Sequence, residues 1–313
     1  MTKRFYTPQI IMVFSQLTKL AQTAFVGAIA LNLWVNPSLA GDPFRTSEPR
    51  QIGDKTEAAF RAVFQQGNYP AAKRYLDQAI TSEPDEPLAY AMRASLAYLN
   101  DDLVALDNYS KKTLETGQKL IPTDQLRGNL YTAVGHFLEG AVILTREGTV
   151  RGVPQALGRL RQVYEYLDKA EAISPRDPEL NLLKGYMDLM LAVSLPFANP
   201  DDAIERLETN AAPQYLANRG IALAYRDLKQ YSQALEYANK ALQATSDNPE
   251  LYYLKAQILK EQARQEKSPI LLQDAIANFD KALAKKSQLP GDLVKQIERE
   301  RRNAVSSLNT SGR

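Results

Sequence analysis

The sequence predicts an all-α fold of short amphipathic helices paired in tandem, and three observations carry that prediction. With 44% hydrophobic and 24% charged residues, and only 15 Gly and 17 Pro among 313, the composition is globular and favours helices over a strand-rich fold. From residue 53 onward, apolar positions recur at helical spacing in short stretches separated by turns. Small residues fall at fixed places in those stretches, and the same places return along the chain.

Residues 1–40 predict a secretory signal. Lys3, Arg4 and Lys19 precede an apolar run from Ala24 to Val35, which Asn36 and Pro37 then break. Ser38 and Ala40 put small side chains at the −3 and −1 positions of a cleavage site before Gly41. The run is shorter than the roughly 20 residues that span a bilayer, so cleavage between Ala40 and Gly41 is expected. An uncleaved anchor is the alternative, and membrane contact then comes through the leader or through a partner. An exported location follows, a bacterial periplasm first and a thylakoid lumen second. Residues 41–52, with two prolines, several charges and little apolar content, are expected to form a linker.

The leader also changes the meaning of the net charge. The whole sequence carries 38 basic and 36 acidic residues. Three of the basic residues and no acidic one lie in the leader, so the body stands at 35 against 36, or −1. Such a body has no global attraction to phosphate backbones, and no nucleic-acid partner is expected.

The clearest repeated stretch runs through Gly67-Asn68-Tyr69, Ala72, Leu76, Ala79-Ile80 and Pro84. Tyr231, Ala234, Ala238 and Ala241-Leu242 make a second copy, and Ala275, Phe279 and Ala282-Leu283 a third. Val163, Leu167, Ala170 and Pro175 fit the same offsets, as do Ala203 and Leu207, while Leu106 and Leu114 suggest a degenerate copy. This pattern resembles the tetratricopeptide repeat, a helix-turn-helix unit of about 34 residues with small residues where its helices cross. With the leader, the resemblance is to exported bacterial members of that family, of the cyanobacterial type included. It implies a right-handed α-α superhelix of about six hairpins over residues 53–285, with a divergent middle at 100–160. A polar capping helix at 286–308 and a disordered tail at 309–313 would close it. Equivalent positions are unevenly spaced: Ala72 to Leu106 is 34, Val163 to Ala203 is 40, Ala203 to Ala234 is 31 and Ala234 to Ala275 is 41. Units of unequal length are therefore required.

No constellation for catalysis is present. The chain has 0 Cys and 1 His, and it lacks a nucleophile elbow, a phosphate-cradling glycine loop and an H-E-x-x-H pair. His136 reads as a helix-face residue. Asp101-Asp102 and Asp201-Asp202 fall where helices begin and read as caps. No enzyme activity, metal or cofactor is expected.

The resemblance implies binding of another protein or peptide in the groove that first helices line. Projecting the family's groove positions gives Tyr98, Tyr186, Arg219, Arg226, Tyr253, Gln257 and Lys260. A second candidate is the stretch from Arg146 to Pro154, read as a glycine-punctuated loop whose Arg146 and Arg151 form a cationic lobe. An extracytoplasmic adaptor is the leading functional reading. The alternative is an envelope glycan- or small-molecule-binding module, or a weak hydrolase, using residues 124–155.

Overall fold

The structure, a computed structural model, describes residues 41–194 and 200–311. The expected signal peptide at 1–40 therefore lies outside the described residues, Ala40 included. The fold is all-α, a succession of helical hairpins, with no β-strand among the described residues. In chain order the helices are α1 (Asp54–Phe60, continued by a π turn at Arg61–Gln65), α2 (Tyr69–Ser82), α3 (Pro87–Leu99), α4 (Leu103–Leu120), α5 (Gln125–Ile173) and α6 (Pro178–Ser194). They continue with α7 (Asp201–Asn210), α8 (Gln214–Asp227), α9 (Tyr231–Ala244), α10 (Pro249–Glu266), α11 (Pro269–Leu283) and α12 (Gly291–Ser311). The described chain divides into two compact bodies. One comprises 41–59 and 73–212, the other 60–72 and 213–311.

The repeated small and bulky positions are the core. Ala72, Leu76, Ala79, Val163, Leu167, Ala170, Ala234, Ala238, Ala241, Ala275, Phe279 and Ala282 all have 0% exposure. An alanine there lets two helices approach closely, and a larger side chain three or four residues on fills the space beside it. The uneven spacing has its cause in helix length. The second helix α7 has 10 residues, whereas the first helix α10 has 18.

The divergent middle is a helical hairpin like the rest. Helix α5 runs 49 residues, broken only at Gly148, whose φ of 74° and ψ of 170° are non-helical. Its two limbs, 125–147 and 149–173, fold against each other: Leu126, Leu130 and Ala133 pack in one cluster with Val163, Leu167 and Ala170. Near the turn, Leu144 meets Val153 and Ala156. The expected long loop from Arg146 to Pro154 is thus corrected to a one-residue turn. Only glycine adopts that backbone without strain.

Two boundaries also differ from expectation. Residues 41–52 form a packed strap where a linker was expected, for Asp42, Phe44 and Ile52 are buried. At the other end, α12 continues to Ser311, into the stretch expected as a disordered tail, and begins at Gly291 after a 3₁₀ turn at Lys286–Gln288. Its Ile297 and Ala304 are buried, and α12 packs on α11. Of the acidic residues expected as caps, Asp102 is one, whereas the cap position of α7 is Pro200, which makes no side-chain cap bond. The Asp102 carboxylate accepts from the Ala105 amide, and Asp201 and Asp202 lie in the first turn of α7.

Candidate functional site

Each body contains a buried Arg–Glu–Tyr triad at the start of a first helix, and each triad sits behind an Asx-Pro-Glu-Leu stretch. In the first body Asp177-Pro178-Glu179-Leu180 opens α6. Asp177 caps the helix by accepting from the Leu180 amide at 3.0 Å. The fully buried Glu179 accepts from Arg127 Nε at 3.2 Å and from the Tyr131 hydroxyl at 2.7 Å. Arg127 also reaches the Glu86 carboxylate at 2.9 Å. Burial opposes its charge, but Glu179 and Glu86 outweigh that and hold the guanidinium firmly protonated.

The strap completes this cluster. Arg45 donates to Asp177 at 2.5 Å, to Asp42 at 2.6 Å and to Glu179 at 3.1 Å. Arg50 reaches Asp124, the cap of α5, at 2.5 Å. Asp42 turns the strap by accepting from the Phe44 and Arg50 amides. The strap is thereby held along the starts of α5 and α6 by paired charges, and Phe44 is buried beside them.

In the second body Asn248-Pro249-Glu250-Leu251 opens α10. Asn248 caps it by accepting from the Glu250 and Leu251 amides. Glu250 accepts from Arg219 Nη2 at 2.6 Å and hydrogen-bonds Tyr69. Burial pushes the Glu250 carboxyl up to about 7, against the pull of the Arg219 guanidinium.

The structure therefore redistributes the residues expected to line an open groove. Arg219 is a buried partner of Glu250. Arg226 pairs with Asp227 and donates to Gln257 at 2.9 Å. Tyr253, Gln257 and Lys260, all on α10, converge on one carboxylate of α12. Tyr253 donates to Glu300 at 2.6 Å, Lys260 at 2.6 Å and Gln257 at 3.3 Å. The capping helix occupies these side chains because a polar closing helix needs partners for its own carboxylates as much as it needs Ile297 in the core. Tyr98 on α3 and Tyr186 on α6 belong to the first body, and both are half-buried. Burial, with the neighbouring Asp101, pushes the Tyr98 phenol up.

Arg146 and Arg151 remain at the surface, at the tip of the α5 hairpin. Arg146 bonds Asp107 of α4 at 3.0 Å while still exposed. Around them Val150 is 74% and Leu157 39% exposed, and Val104, one turn before Asp107, is 74% exposed. His136 is buried on the same hairpin, 3.3 Å from Glu139 and against the Tyr166 ring. Among the described residues no group of His, Cys, Asp and Glu is placed to hold a metal ion.

The buried acids Glu179 and Glu250 were not singled out from sequence. The signal for them was available in the two Asx-Pro-Glu-Leu stretches, each opening a hairpin.

Tandem hairpins with small residues at their crossings define a helical-repeat protein. Residues 220–248 match the family model described as a tetratricopeptide repeat, and they cover most of the α8–α9 hairpin. No curated protein matches the chain. A crystal structure of the APC/C hetero-tetramer Cut9-Hcn1 is similar at a TM-score of 0.34 and 16% identity, over 81% of this chain and 48% of that one. This chain thus spans about half the length of that protein.

Proposed function

We propose that this chain is an exported scaffold that holds another protein, and that the partner docks on the tip of the α5 hairpin. The observation that carries this reading is the exposure of Val150, Leu157 and Val104 beside the cations Arg146 and Arg151. Exposed apolar side chains rimmed by charge are the composition of an interaction surface. The alternative position, along α8 and α10, has its Arg219, Tyr253 and Lys260 engaged within the chain. A scaffold role is what helical-hairpin repeats support by their construction, since each unit adds surface without changing the core. An extracytoplasmic location rests on the leader's charge, apolar run and small-residue cleavage pattern.

The test is a photo-crosslinking residue introduced at Val150 in the exported protein, with the same residue at Ile270, which is 71% exposed in the second body. A discrete adduct of one protein from position 150, absent from position 270, is the expected outcome. Adducts of equal pattern from both positions would remove the tip as the docking surface.

A further inference from the structure

The Gly41 amide nitrogen lies 2.9 Å from Glu57 Oε2, on the first helix of the first body. A side chain at position 41 would meet the same carboxylate, with a Cβ 2.8 Å from Oε1 and 3.1 Å from Oε2. The next residue, Asp42, is buried and accepts from three groups of the strap: the Phe44 amide, the Arg50 amide and Arg45 Nη1. Gly41 and Asp42 are therefore both tied into the packing of the first body.

We propose that Gly41 is the mature N-terminus and that the α-ammonium freed there is clamped by the Glu57 carboxylate. Hydrolysis of the Ala40–Gly41 peptide bond consumes one water, leaves a carboxylate on Ala40 and creates an amine on Gly41. That amine is protonated at neutral pH. A hydrogen bond charged only on the carboxylate side thus becomes an ammonium–carboxylate ion pair, charged on both sides. Glycine suits both partners in this step. It is small enough for a peptidase acting on an extended segment, and it lets the Glu57 carboxylate lie against the chain without shifting. Removing one residue more would delete the donor, and removing one fewer would place a side chain and a second peptide group ahead of it. The strap would then be fixed at three points: its amine on Glu57, Arg45 on Asp177 and Glu179, and Arg50 on Asp124.

This inference rests on the leader reading made above, and its test separates the two. The full chain is expressed in a bacterium that exports it, and the mass of the recovered protein is measured. A mass that begins at Gly41 is expected. Retention of the leader, or a start at another residue, overturns the inference together with the cleavage reading. Glu57→Gln is then compared in the processed protein and in a full-length chain whose cleavage is blocked by Ala40→Phe, purified in detergent. Glu57→Gln is expected to lower Tm by a few degrees in the processed form, and by clearly less in the uncut chain, which keeps only the neutral amide. Equal shifts in the two forms overturn the ammonium clamp while leaving the cleavage site standing.

Discussion

Two single residues hold conformations or charges that ordinary positions do not. Gly148 turns α5 back on itself at φ 74°, and an added Cβ there would meet nothing within 4 Å. Any loss on substitution is therefore backbone strain rather than crowding. Gly148→Val should cost roughly 1–3 kcal/mol, because a β-branched residue is poorly tolerated at positive φ. Chemical denaturation measures it, and an unchanged midpoint would mean the turn has another solution. Glu250 differs in kind. Its carboxyl is raised to about 7 in the folded chain, above the ordinary 4.5, chiefly by burial. A raised carboxyl binds its proton more tightly when folded, so stability is gained as pH falls from above 7 toward 4.5 and is lost as pH rises through 7. The Tm of the protein relative to its Glu250→Gln variant should therefore climb between pH 8 and pH 5. Parallel pH profiles for the two proteins would show that Glu250 is ionised at little cost.

At the scale of elements, the helices were legible in sequence where small residues mark crossings, and illegible where the partner lies far along the chain. Ala72, Ala234 and Ala275 share one offset and one environment, so a single local pattern located three second helices. The strap offers no such pattern. Its prolines and charges match a linker, and what makes it structure is Arg45 finding Asp177 and Glu179, more than 130 residues later. Likewise Tyr253 and Lys260 of α10 read as open groove, because nothing local announces that Glu300 covers them. The Gly148 turn was visible as glycine, but not as a turn of one residue. The strap's weight is testable. Arg45→Ala leaves Asp177 and Glu179 with one cation fewer in a buried setting, though Glu179 keeps Arg127 and Tyr131. The cost should be on the order of 3 kcal/mol, toward the lower end for breaking a buried pair. Hydrogen exchange at the amides of 42–52 should accelerate while that of α9 is unchanged. Unaltered protection of the strap would assign its order to Phe44 and Ile52 alone.

For the molecule as a whole, the distribution of satisfied charge decides what a partner can read. Arg45, Arg127, Arg219 and Lys260 all spend their charge on acids of the same chain. With a body charge near neutral, long-range steering has little to draw on. Recognition at the α5 tip should then be led by apolar contact, with Arg146 and Arg151 setting orientation. Burying a valine side chain is worth about 1.5 kcal/mol or more, whereas an exposed ion pair is worth roughly 0–1 kcal/mol and fades with salt. Val150→Asp should therefore weaken the complex at least about tenfold, since it removes apolar contact and sets a carboxylate in the interface. Arg151→Ala should cost only a few-fold. Binding measured across a rise from low to high salt should fall modestly for the unaltered protein and hardly at all for Arg151→Ala. A steep salt dependence, with Arg151→Ala the more damaging change, would reverse this order and make the tip a cationic hook rather than an apolar one.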